Sequence, residues 1–213
     1  MSTDGRIERA RTLYERAVFG DDTDAVAAAD RELDAVEADL ALARGRVAHA
    51  RFLGDGREDP QELRLFERAA DLYRDLGDVR GEAEALFWMG CFHQVVRDDD
   101  AAAVPLLERS HREAVRADDA LTASYALRHL GIADQMAGRP KAARERLEES
   151  TRLRREIGFL SGVAANLVGL AYVNAAEGRR DEALGLLDEA GSIAETEGAR
   201  GVLRQIREAR GRL

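Results

Sequence analysis

The sequence predicts an all-α protein, a solenoid of antiparallel helical hairpins, and three observations predict it. Apolar residues recur at helical spacing along nearly the whole chain, and no stretch alternates with period two for long enough to form a strand. Short Gly- and Asp-rich breaks interrupt that periodicity. The second half also repeats at 40 residues: Ala103, Ala143 and Ala183 stand 40 apart, as do Leu107, Leu147 and Leu187, and Phe87, Leu127 and Leu167. Ser110, Ser150 and Ala190 keep the same register. A period of that length marks supersecondary units that bury an apolar face on their neighbours.

The breaks divide the chain into about ten helices, near 4–18, 22–53, 60–76, 79–97, 100–117, 120–137, 140–157, 160–177, 181–197 and 199–211. Most breaks pair a helix-ending glycine with an acid that can cap the next helix, as at Gly77-Asp78. Asp59-Pro60 reads as a helix start, with an N-cap acid and proline at the first helical position. Gly45 is a candidate break in the second helix. Pro105 predicts a late start or a kink in the fifth, because proline removes a helical hydrogen bond. These helices make one domain: an N-terminal capping helix (1–20), a divergent first unit (22–77), repeats 79–117, 120–157 and 160–197, and a C-terminal capping helix (199–213). In the last of these, Val202, Leu203 and Ile206 would cover the final hairpin while its arginines face water.

The chain has 213 residues, of which 45% are hydrophobic and 34% charged, with only 3 prolines, a profile that suits a soluble helical protein rather than a disordered one. A net charge of −9 works against a phosphate backbone, so nucleic acid is not an expected partner. The lone Cys91 excludes an internal disulfide and suits a reducing cytoplasm. No apolar run approaches the ~18 residues of a membrane span. Met1 is followed by polar residues, so neither a membrane location nor a secretory signal is expected. Charge is uneven, with acids in the first forty residues and arginines in the last fourteen, which allows a contact between opposite ends of two molecules.

The segments Gly138-Arg-Pro-Lys-Ala-Ala143-Arg-Glu-Arg-Leu147-Glu-Glu-Ser150 and Gly178-Arg-Arg-Asp-Glu-Ala183-Leu-Gly-Leu-Leu187-Asp-Glu-Ala190 resemble tetratricopeptide repeats. Leu130-Gly131 and Leu170-Ala171 match that family's apolar–small pair in the preceding helices, with Gly90-Cys91 in register. The stretches Leu76–Ala85 and Arg154–Val163 resemble helix junctions of a long-period bacterial subtype, found in sensor domains of large transcription regulators and in free-standing proteins. The resemblance covers roughly residues 60–198. It implies a right-handed superhelix in which the first helix of each hairpin lines a concave face. Two departures stand out. The period is 40 where the common repeat is roughly 34, so HEAT-like helix pairs compete as a reading. Gln94, Asp134 and Asn174 also replace the aromatic often found midway along the first helix.

Projecting this register puts Trp88, Phe92, Tyr125, Arg128, Met136 and Tyr172 on or near the concave face, with Ile132, Gln135 and Val168. An apolar groove holding one arginine suits a peptide with an acidic group or a free carboxy terminus. The Gln94–Asp134–Asn174 column reads as a hydrogen-bonding ladder along that groove or as polar groups satisfied within the stack. Asp134 or a nearby glutamate could also neutralise Arg128. His49, His93, His111 and His129 have no metal-ligand spacing, and no nucleophile, phosphate-loop or dinucleotide motif is present, so no cofactor or metal is expected. The expected function is a non-enzymatic scaffold that binds a protein or peptide. A self-associating homodimer and a small-molecule sensor or enzyme with a pocket between the concave helices are the alternatives.

Overall fold

The computed structural model describes residues 3–213. Met1 and Ser2, with the start of the polar N-terminal segment, lie outside the described residues. Those residues form ten α-helices, one π-helical turn and no strand. The helices are α1 (Thr3–Gly20), α2 (Asp24–Asp55), α3 (Glu62–Leu76), α4 (Val79–Cys91), α5 (Asp100–Arg116), α6 (Ala120–Met136), α7 (Pro140–Glu156), α8 (Leu160–Ala176), α9 (Arg180–Thr196) and α10 (Arg200–Arg212). The π-helical turn, Phe92–Val96, continues directly from α4. Within each compact unit consecutive helices pack against one another as helical hairpins, the all-α arrangement that the 40-residue period predicts. None of them is long and apolar enough to cross a membrane.

The chain forms two compact units, Met1–Asp99 and Asp100–Leu213. In the second, a helix begins every twenty residues, at Asp100, Ala120, Pro140, Leu160, Arg180 and Arg200. Three-residue connections make this possible. The middle residue of each connection is left-handed: Asp118 (φ 53°), Gly138 (71°), Gly158 (72°), Gly178 (78°) and Gly198 (63°). The following N–H then turns back onto the preceding helix, as Arg139 N to Asp134 O (2.8 Å) and Arg179 N to Asn174 O (2.9 Å). This closure satisfies carbonyls that a helix end leaves open.

The repeated small and large residues fill the space between the helices. Ala103, Ala143 and Ala183 are fully buried, and so are Leu107, Leu147 and Leu187. Each alanine lets two axes approach, and the leucine one turn later fills the gap beside it. In the second unit α6 also touches α8, and α8 touches α10, so these three helices share one layer. Helix α10 buries Ile206 and Ala209, with Val202 and Leu203 against the same core, while its arginines are exposed.

Four details differ from the sequence reading. Helix α2 runs unbroken through Gly45, because that glycine makes room for a neighbour: a Cβ there would lie 2.4 Å from the Phe66 ring. Helix α5 starts at Asp100 and continues through Pro105 with no late start, the lost bond falling in its second turn. Asp59 does not cap α3 directly. Its carboxylate accepts from Gln61 N (2.9 Å) in a turn that precedes the helix, which begins at Glu62. The helix predicted over 79–97 ends as α at Cys91 and finishes in the π turn.

Gly45 and Gly185 therefore respond oppositely to the same change. Gly45→Ala drives a methyl into the fully buried Phe66 ring and should lower unfolding free energy by about 1–3 kcal/mol. Gly185→Ala, in α9 with nothing within 4 Å of the added carbon, should raise it by about 0.5–1 kcal/mol. Urea unfolding monitored by circular dichroism distinguishes the two.

Candidate functional site

The register that builds the core also builds a groove in the second unit. One helical position carries Arg128 on α6, Val168 on α8 and Glu208 on α10; the next turn carries Ile132, Tyr172 and Arg212. These residues, with Met136 and Gly169 among others, line a groove of about 350 Å³. Tyr172 is half-buried, and Met136 is 77% exposed at the groove's edge. Arg128, Met136 and Tyr172 thus stand together, as their spacing predicts.

Arg128 is held by neutral acceptors. Its Nη1 donates to Ala165 O (2.8 Å) and to Asn166 Oδ1 (3.0 Å). Behind it lies Arg154 of α7, only 1% exposed. Arg154 donates from Nη1 to Gly162 O (2.8 Å) and to the same Asn166 Oδ1 (3.0 Å), and from Nε to Ser124 Oγ (3.2 Å). Its guanidinium lies 4.9 Å from the Tyr125 ring centre and 5.4 Å from that of Phe159. Asn166 Nδ2 donates to Ser150 Oγ (2.8 Å), which donates to Ser124 O (2.6 Å). Two cations therefore share one amide oxygen in a buried network.

Among the described residues no carboxylate forms an ion pair with either, although Glu208 lines the same groove as Arg128. Burial pulls Arg128 down to about 10 and Arg154 down to about 9, and the positive charge of Arg128 lowers Arg154 further. Both remain charged at neutral pH. Arg154 Nη2 is buried with no hydrogen-bond partner. An orphaned donor on a buried cation carries a desolvation penalty of several kcal/mol, which an anion would offset.

The polar column lies elsewhere. Asp134, 2% exposed, pairs with Arg139 (2.7 Å) and Arg146 (3.2 Å), so it does not neutralise Arg128. Asn174, 3% exposed, accepts from Arg144 (2.5 Å) and Arg179 (2.8 Å) and lines a different depression, beside α7 and α9. Arg139 and Arg179 are themselves 40 apart, so the column is an internal anchor for the turn arginines. Gln94 sits half-buried in the π turn. Tyr125 is half-buried and gives its ring to Arg154 rather than to the groove wall.

In the first unit, Trp88 packs among Phe66 (5.7 Å between ring centres), Phe87 (5.1 Å) and His49 (5.4 Å), with the Arg46 guanidinium 5.7 Å from its ring. Phe92 is 1% exposed, so it is core and not a surface for a partner. Below Trp88, Cys91 Sγ lies 3.7 Å from His49 Nε2, and His49 Nδ1 lies 2.8 Å from Glu62 Oε1. With its proton on Nδ1, His49 donates to Glu62 and accepts from the thiol. The order acid–imidazole–thiol is that of a nucleophile relay. Burial, however, raises Glu62 and pushes the Cys91 thiol up to about 12, so the sulfur stays a neutral, covered thiol.

Sequence reasoning missed Arg154 and Asn166, although the register marks both. Arg154 occupies the position of the buried alanines Ala114 and Ala194, and Asn166 that of Ala126 and Ile206.

No protein-family model matches the chain, and no curated protein matches it. Among solved structures the chain is similar to BtubC (BKLC) from P. vanneervenii, with 16% identity, 93% of each chain covered and a TM-score of 0.49.

The buried thiol has a measurable consequence. An unfolded cysteine ionises near ~8.5, whereas Cys91 holds its proton up to about 12. The native state then binds the proton that the unfolded state has lost, so this group makes stability fall as pH rises above ~8.5. Native protein at pH 8 should react with a thiol reagent only as fast as it opens. Rapid labelling without denaturant would contradict the burial.

Proposed function

We propose that the chain is a cytoplasmic, non-enzymatic scaffold of the tetratricopeptide-repeat type, and that the α6–α8–α10 groove captures an extended peptide through a carboxylate. The observation that carries this reading is the Arg128–Asn166–Arg154 network. It holds two guanidinium groups, neutral acceptors, no acid and one unused buried donor. A peptide carboxylate at Arg128 supplies the missing charge. Ile132, Val168 and Tyr172 give an apolar wall for the neighbouring side chain, and exposed Met136 adapts to its shape. The repeated helix starts of the second unit and the motifs at Gly138–Ser150 and Gly178–Ala190 support the family assignment.

Asp134 is turned into its own ion pairs, and Glu208, the acid in the groove lining, has no imidazole or thiol beside it there to form a catalytic pair. That favours capture over chemistry.

The test is selection from a random peptide library displayed with free carboxy termini. Recovered sequences should bind through a carboxylate, lose affinity when it is amidated, and weaken with added salt. Arg128→Met keeps the apolar stem and removes the charge. It should weaken binding by about tenfold to a hundredfold, the worth of a charged hydrogen bond, with little change in melting temperature. Undiminished capture by Arg128→Met would remove the groove from the proposal.

A further inference from the structure

Helix α2 has 32 residues, where the helices from α5 to α9 have 17, and it carries two faces with different periodicities. One face is buried within the first unit through Ala38, Ala41, Leu42, Gly45, Ala48 and His49. The opposite face bears Val26, Leu33, Leu40 and Val47, seven residues apart and 55%, 46%, 49% and 51% exposed. A second row follows three residues behind each: Ala29, Val36, Ala43 and Ala50, again seven apart. A straight helix drifts by ~20° per heptad, so a face turned to water has no reason to keep a strict seven-residue repeat over four heptads. A helix paired with another helix does, because the repeat keeps its seam facing the partner.

The charges beside this seam specify the partner. Asp30 and Glu37 flank its N-terminal half, and Arg44 and Arg51 flank its C-terminal half, in one row of seven-residue steps. Asp30, Arg44 and Arg51 take no ion-pair partner among the described residues, and Glu37 has only the surface pair with Arg68 (2.7 Å). Parallel pairing of two such helices sets acids against acids. Antiparallel pairing about a two-fold axis near Leu40 sets Asp30 against the partner subunit's Arg51 and Glu37 against the partner subunit's Arg44. Sign reversal about the midpoint makes the face complementary to itself, which an isologous interface requires. The small residues of the second row let the two axes approach closely.

We infer that α2 pairs antiparallel with α2 of a second copy of this chain, through the Val26–Leu33–Leu40–Val47 seam, to make a two-fold homodimer. The inference is independent of the peptide groove.

Sedimentation at micromolar concentration reads it directly. The wild-type chain should be a dimer. Leu33→Glu with Leu40→Glu changes only half-exposed positions, so helicity should persist while the dissociation constant rises by about a hundredfold or more. Asp30→Arg with Glu37→Arg should also dissociate the dimer, and adding Arg44→Glu with Arg51→Glu should restore it, because complementarity returns with all signs reversed. A wild-type monomer would overturn the inference, and so would a dimer indifferent to Leu33→Glu/Leu40→Glu. Failure of the fourfold charge reversal to restore the dimer would overturn the antiparallel pairing.

Discussion

The close approach of helices at Ala103, Ala143 and Ala183 is the constraint on which the second unit depends. All three are fully buried, each with a fully buried leucine one turn later. A larger side chain at the alanine would separate the axes and leave the leucine unsupported. Helix separation in turn fixes connection length, and the three-residue turns work only with a left-handed residue at their centre. Glycine holds that place in four of the five turns from Asp118 onward, and Asp118, of a residue type that tolerates the conformation, in the fifth. The groove inherits its geometry from the same spacing: Arg128, Val168 and Glu208 share one wall because α6, α8 and α10 begin at equal intervals.

Much of this architecture was legible because steric constraints leave periodic traces. Alanine, leucine and glycine recur at 40 residues wherever packing or backbone conformation admits little else. The faults came where one residue serves a single local contact. Gly45 looked like a break and is a recess for Phe66. Pro105 reads as a late start or a kink and is a missing hydrogen bond inside α5, which starts at Asp100. For the site, Arg128, Met136 and Tyr172 were legible because the groove follows the register. Phe92 was not: register assigns a direction around the helix but does not say what packs there, and the π turn at Phe92–Val96 locally alters that direction.

The two sets of polar exceptions differ in how their charge is balanced. Asp134 is buried, yet Arg139 and Arg146 meet it at the edge of the stack, so an anion among cations is paid for locally. The Arg128–Arg154 pair has no ion-pair partner among the described residues. Its attractive partners are amide, hydroxyl and carbonyl oxygens and two aromatic faces. Hydrogen bonds to neutral oxygens orient a guanidinium without cancelling its charge. Arg154 therefore acts as a positioning residue. It fixes Asn166, which fixes Arg128, and in the proposed peptide capture its charge would add to that of Arg128.

Two periodicities coexist in this chain, and they answer to different partners. The 40-residue period stacks hairpins on one another along a single chain, and every residue that keeps it in the core is buried. The seven-residue period belongs to α2, and the residues that keep it are about half exposed. Selection for packing within the first unit cannot produce the second pattern, because Val26, Leu33, Leu40 and Val47 lie opposite the face that packs. Selection for solubility works against it, since a row of large aliphatic side chains is what a solvated face excludes. A pattern that packing within the first unit does not need and solvent disfavours is what the inferred pairing of two α2 helices accounts for. The reversal of sign from Asp30 and Glu37 to Arg44 and Arg51 makes the chain itself the partner that fits.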